Sequence, residues 1–199
     1  MDTKERIVWE ALCLFSQRGY GAVSVREIAR AVGIRESSLY NHFAGKREIF
    51  DGIVDICWQK AEDYYHSHGL PFSQAEDLSA FERQGRALEE ILLEVFRFFF
   101  EDPWNTRFRR LLTVSQFEDR RAAEIYQRLY CRYPMEVQAG IFARLMERGV
   151  FRPGDPQALA LEFYGGVFLL LNACPGWEAA RPRLLAHIRH FGDVWRVRE

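Results

Sequence analysis

The sequence predicts an all-α protein: an N-terminal three-helix segment containing a helix-turn-helix, followed by a larger helical domain. Three observations carry this. Apolar residues recur at steps of three and four nearly everywhere, the spacing that lines one face of an α-helix. No apolar/polar alternation of useful length reads as a strand. Glycine and proline cut the pattern into helix-sized pieces. With 199 residues, 48% hydrophobic and 28% charged, the chain can bury a substantial core in one domain or two small ones.

Ile7, Ala11, Leu14 and Phe15 form one apolar stripe on the first helix, which Gly19 and Gly21 end. Val25, Ile28, Ala29 and Val32 repeat the pattern on a short second helix. Ser24, with Glu27 three residues on, is a capping-box signature at its start, and Gly33 stops it. A third helix is predicted over 37–43, with Leu39 and Phe43 inward. Ala44-Gly45 breaks the chain, and a long fourth helix runs from Lys46 to about Tyr65.

The segment 66–74, with Gly69 and Pro71, reads as a loop and hinge. Phe81, Gly85, Leu88, Leu92, Val95 and Phe99 mark a fifth helix, which Pro103 interrupts. A short helix follows over 107–117, then a long one over 121–148, kinked at Pro134 and closed by Gly149. Asp155-Pro156 is an N-cap and N1 pair opening a helix that reaches Asn172. After Cys174-Pro175-Gly176, the last helix is expected over 182–197 with Leu184, Ile188, Phe191 and Trp195 on one stripe. The division expected is 1–61 and 62–199.

Residues 24–43 carry the chemistry. Two short helices meeting at a glycine make a helix-turn-helix. Ser37, Ser38, Tyr40 and Asn41 lie away from the Leu39/Phe43 side, and small hydroxyls, an amide and one ring suit base edges in a major groove. Asn41 suits an adenine edge, and Arg35 a guanine or a phosphate. Ser24, Arg26 and Lys46 stand at helix starts, where free amides and partial positive charge hold phosphate.

From Thr3 to about Ala61 the chain resembles the DNA-binding domain of the TetR family of regulators. The carrying residues are Ala11, Leu14-Phe15, Gly19-Tyr20, Ser24-Val25-Arg26-Glu27-Ile28-Ala29 and Val32-Gly33-Ile34. Leu39-Tyr40-Asn41-His42-Phe43 and Lys46-Arg47-Glu48-Ile49-Phe50 complete the string. The resemblance implies DNA contacts at Ser24, Arg35, Glu36, Ser37, Ser38, Tyr40, Asn41, His42 and Lys46, with Tyr40 and Lys46 on phosphates. Ser37 stands where many members have a smaller residue, and Gly45 where many have serine. The resemblance further implies a divergent C-terminal domain for ligand binding and dimerisation, and ligand-driven release from a palindromic operator, usually in repression. The helices over 155–172 and 182–197 are the candidate dimer elements, through Gly165-Gly166 and the Leu184 stripe.

Phe96, Phe98, Phe99, Phe100, Trp104, Phe108 and Phe117 are aromatics of either plain core or a ligand pocket. Phe96, Phe99, Trp104 and Phe117, with Tyr126, Tyr130 and Tyr164, form the candidate lining for an apolar or aromatic effector. No other cofactor is expected. His187 and His190 have i, i+3 spacing, which can bind metal, but no Cys or carboxylate cluster accompanies them, nor His66 and His68. The formal net charge is −1, and the pI of about 6.5 leaves any DNA grip to a local patch. Cys13, Cys57, Cys131 and Cys174 form no CxxC and read as reduced core residues. With no apolar leader, and apolar runs short of the roughly 20 residues that span a bilayer, the expectation is cytoplasmic. No catalytic string argues for an enzyme. A module whose helix-turn-helix no longer grips DNA stays open, favoured by the low pI and by Glu36.

Overall fold

The computed structural model describes residues 2–68 and 86–197, with the side chains of 86 and 87 outside the description. These residues are helical apart from turns and one isolated antiparallel bridge, Phe151 with Arg196. The chain forms two compact units. The first is Met1–Ala61 with Asp102–Gln127, and the second is Glu62–Glu101 with Arg128–Glu199. Residues 102–127 therefore pack with the N-terminal helices, whereas the sequence reading grouped them with the C-terminal part.

In the first unit, α1 (Thr3–Arg18) begins at an Asp2 capping box closed by Glu5. It buries Ile7, Val8, Ala11, Leu12 and Phe15, while Leu14 is half-buried. α2 (Val25–Val32) buries Ile28, Ala29 and Val32, and α3 (Glu36–Leu39) buries Leu39. α3 is shorter than the 37–43 expected. Asn41 and His42 donate to Ser38 and Leu39, three residues back, so the last turn tightens before Phe43. α4 (Lys46–Ser67) begins without a capping side chain at Gly45; Glu48 reaches back to the Ala44 N–H instead.

α6 (Pro103–Ser115) also belongs here, starting earlier than expected. Pro103 takes the first-turn position, where its missing N–H is not required, and Asp102 caps the helix through Trp104 and Asn105. Its Phe108, Leu111 and Leu112 are buried as it packs on α1, and α7 (Arg120–Tyr126), capped by Asp119, packs on α6.

In the second unit, α5 (Arg86–Glu101) is apolar on most faces, broken by Glu94 and Arg97. The expected helix over 121–148 is divided. A π-helical turn over Gln127–Arg132 separates α7 from α8 (Tyr133–Glu147) just ahead of Pro134, the residue expected to kink it. α9 (Pro156–Ala173) starts on the Asp155 cap as expected. α10 (Trp177–Trp195) starts earlier than Pro182, because Trp177 and Ala180 are buried and Trp177 meets Phe100 with ring centroids 6.0 Å apart. Pro182 lies inside α10, past its first turn, where the missing N–H forfeits the bond to the carbonyl four residues back.

One expectation is corrected. Leu184, Ile188 and Phe191 do not form a free stripe for a partner; they are buried in their own unit's core with α5, α8 and α9. Gly166 likewise serves the chain itself. A Cβ there would stand 2.7 Å from the His187 ring, so the glycine admits α10 close to α9. The helix α4 extends through His66 and Ser67, two residues of the expected hinge. His68 forms the turn that follows it; residues 69–74 of that hinge, and Phe81 and Gly85 of the fifth helix, lie outside the described residues. Among the cysteines, all free, Cys57 is buried and the other three half-buried.

Candidate nucleic-acid interface

The interface is built by α2, the turn and α3. The Ser24 hydroxyl caps α2, and the Glu27 carboxylate bonds back to the Ser24 N–H and hydroxyl, each at 2.8 Å. Arg18 pairs with Glu27 at 2.7 Å and donates to the Ala22 carbonyl. These bonds hold the Glu27 carboxyl down to about 2, the Ser24 N–H contributing most, then Arg18. Gly33 sits at φ 79°, ψ 29°, the left-handed conformation that lets the chain reverse within the turn. Arg6 braces it by donating to the Val32 carbonyl at 2.8 Å.

Leu39 and Phe43 are buried below α3, and the Lys4 ammonium lies 5.4 Å from the Phe43 ring centroid. With that side fixed, Arg35, Glu36, Ser37, Tyr40, Asn41 and His42 are all exposed, Tyr40 to 50%, and Ser38 is half-buried. Ser24 and Arg26 are exposed at the start of α2. Nine of the ten candidate residues thus lie on or beside the α2–α3 segment, and together they present hydroxyl, amide, imidazole, guanidinium, phenol and carboxylate groups to solvent.

Lys46 is placed differently. Its ammonium donates to the carbonyls of Tyr20 and Val23, both at 2.9 Å, and points at that of Gly21 at 3.5 Å. It also lies 4.4 Å from the Tyr20 ring centroid. Burial lowers its pKa, with the charge of Arg47 adding to the effect. Arg47 stacks on the same ring at 4.7 Å and pairs with Asp119 at 2.8 Å. The Tyr20 N–H donates to Ser115 Oγ at 3.2 Å. The α1–α2 loop is therefore held from α4 and from the α6–α7 corner. Sequence reasoning missed Ser115 and Asp119, and the tie of Arg47 to Asp119, because no local spacing pairs residues so far apart.

The aromatic candidates divide between the two units. Phe96 and Tyr130 are buried in the second unit, with Phe99 and Tyr164 half-buried there. Trp104 and Tyr126 belong to the first unit, where Trp104 packs on Trp9 with centroids 4.8 Å apart. Phe117, also of the first unit, is 87% exposed and lines no interior. His187 Nε2 bonds the Phe163 carbonyl at 2.8 Å, and no group of three metal-ligating residues occurs among the described residues. None of the described helices is long and apolar enough to cross a membrane.

Residues 7–53 match the model of bacterial regulatory proteins of the tetR family. Over 55 residues the chain is 38% identical to IcaR, the negative transcriptional regulator of the biofilm operon icaADBC, from Staphylococcus aureus; this covers 28% of the chain and 30% of IcaR. The Staphylococcus epidermidis IcaR is 34% identical over 61 residues, 31% of this chain and 33% of the relative. The chain thus spans about a third of the length of these curated relatives. Solved structures resemble the whole fold. A TetR-family regulator from Mesorhizobium loti superposes with TM-score 0.71 at 18% identity, covering 98% of this chain and 97% of that one. The complex of SmeT with triclosan gives TM-score 0.72 at 17% identity, covering 99% and 93%; SmeT is the repressor of the Stenotrophomonas maltophilia efflux pump SmeDEF.

Proposed function

We propose that this chain, a member of the tetR family of bacterial regulatory proteins, is a repressor that binds a palindromic DNA operator as a dimer and is released by a small molecule. One observation carries the reading: the exposed polar face from Arg35 to His42 stands over the buried Leu39 and Phe43, on the segment that matches the family. In the reading, Ser37, Ser38 and Asn41 face bases, while Ser24, Arg26, Arg35, Tyr40 and His42 position the backbone. Glu36 suits a cytosine amine. Two such helices enter successive major grooves about 34–36 Å apart.

The dimer is proposed to form through α9. Leu161 and Leu169 are 63% and 64% exposed, and Gly165 between them has nothing within 4 Å of its Cβ position. The spacing i, i+4, i+8 puts all three on one helix face. The effector is proposed to be apolar or aromatic and to bind in the second unit near Phe96, Phe99, Tyr130 and Tyr164; the triclosan complex of SmeT lends support. α4, which runs from the first unit into the second, is the proposed lever: an effector that favours a wider spacing of the recognition helices lowers DNA affinity by its preference for that state. A cytoplasmic location follows from this role.

Selection from a random duplex library tests the proposal, run beside a Tyr40→Ala, Asn41→Ala double variant. A palindrome enriched by the native chain and lost in the variant supports it. No enrichment at low salt, where phosphate contacts are strongest, overturns it in favour of a module that has lost its DNA grip.

A further inference from the structure

We infer that Lys46 is a positioning residue: its ammonium fastens residues 20–23, and so the start of α2, instead of touching a DNA phosphate. The inference deepens the regulator reading and rests on it for its functional consequence.

A lysine ammonium has three N–H donors and no other polar function. Here two of them meet the carbonyls of Tyr20 and Val23 at 2.9 Å, and the third is directed at the Gly21 carbonyl at 3.5 Å. The remaining side of the cation faces the Tyr20 ring, 4.4 Å from its centroid. A phosphate would find no ammonium donor left, and turning the side chain outward would break charge-assisted bonds in a half-buried setting.

The fastened segment ends where α2 begins. Val23 is buried and precedes Ser24, whose side chain and N–H close the capping box with Glu27. The carbonyls held by Lys46 therefore fix where the exposed start of α2, with Ser24 and Arg26, stands. The other end of the loop has anchors of its own. The Tyr20 ring packs edge-on against Phe15 at 5.3 Å and Phe50 at 5.2 Å, and its N–H is bonded to Ser115. Lys46 completes the clamp on the α2 side. The lowered pKa agrees with an ammonium taken out of water.

Salt dependence separates the two roles. Each phosphate neutralised by a cation contributes about 0.9 to the slope of log affinity against log salt. The slope is measured on the duplex enriched from the random library, for the native chain, Lys46→Gln and Lys46→Arg. The expected result is a loss of roughly tenfold or more for Lys46→Gln with an unchanged slope. Lys46→Arg is expected to fail to restore affinity, because the larger planar guanidinium lacks the compact three-donor head that meets the Tyr20, Gly21 and Val23 carbonyls together. A slope reduced by about 0.9 for each Lys46 in the complex, with recovery by Lys46→Arg, overturns the inference. A second measurement needs no DNA: amide hydrogen exchange at residues 20–24 of the full chain. Lys46→Gln is expected to speed it there by roughly tenfold while α6 and α7 stay protected. Unchanged exchange overturns the inference even if no duplex is enriched, whereas failed enrichment alone counts against the regulator reading.

Discussion

The Tyr164 hydroxyl donates to the Tyr130 carbonyl at 3.0 Å, and that carbonyl is the one Pro134 cannot serve. In an α-helix the N–H of residue 134 would bond it; proline has none, and its ring crowds the carbonyl four residues back. The chain answers with a π-helical turn over Gln127–Arg132 and a tyrosine from α9. Tyr164→Phe keeps the ring and removes the donor. It is expected to lower unfolding free energy by about 1 kcal/mol in denaturant titration. An unchanged midpoint would mean that water replaces the phenol at no cost.

A comparable dependence links Gly166 and His187. The imidazole stacks on Phe163, centroids 5.5 Å apart, and bonds the Phe163 carbonyl, while its ring fills the space a Cβ at 166 would need. Gly166→Ala is expected to cost about 1–3 kcal/mol through overpacking, outweighing the helix propensity gained. Thermal unfolding of Gly166→Ala, His187→Ala and the double variant checks this. Strict additivity of the two losses would show that the glycine and the imidazole do not compete for space.

These pairs mark what the sequence could and could not reveal. The α2–α3 segment was legible because its determinants are local: Ser24 with Glu27, Gly33 at the turn, Leu39 with Phe43. Periodicity tells that a face is buried, not what covers it. Hence Leu184, Ile188 and Phe191 read as a partner surface and proved to be core, and Phe108, Leu111 and Leu112 gave no sign that α6 joins α1. Lys46 at a helix start carries the pattern of a phosphate ligand; its partners are carbonyls that converge only in three dimensions. Arg47 and Asp119 are 72 residues apart and no spacing rule connects them.

The Asp119 carboxylate has two tasks, which two substitutions separate. It caps α7 through the Ala122 N–H at 2.8 Å and pairs with Arg47, the bond that most lowers its pKa. Asn remains a good cap but carries no charge. Asp119→Asn is expected to lose well under 1 kcal/mol, because Arg47 is half exposed and the pair is partly screened. Asp119→Ala should lose about 1 kcal/mol more with the cap. Equal losses in urea unfolding would place the whole effect in one task.

The capping box of α2 predicts an acid sensitivity. The Glu27 carboxyl is depressed from the usual range near 4.5 to about 2. A depressed carboxylate stabilises the fold fully above its unfolded pKa and loses that contribution as pH falls through its folded value. The contribution should therefore be whole above pH 4.5 and fade toward pH 2. Glu27→Gln retains hydrogen bonding without the titration. The stability difference between native chain and variant is expected to shrink across that window. A difference constant with pH, or a carboxyl titration near 4.5 by NMR, would contradict the bonding described.

The exposed leucines of α9 give the proposed dimer its sharpest test. Leu161 and Leu169 touch little within their own chain, so charges placed there should change single-subunit stability by no more than about 0.5 kcal/mol. In a packed homodimer the same positions meet their symmetry mates, and four glutamates would be buried against apolar surface. Leu161→Glu with Leu169→Glu is therefore expected to sediment as a monomer with an unaltered circular dichroism spectrum. Its affinity for a palindrome should fall toward that of a single half-site, because the second recognition helix is no longer tethered to the first. A variant that sediments as a dimer would move the interface away from this face of α9. A monomer that still binds the palindrome at full affinity would separate DNA binding from dimerisation.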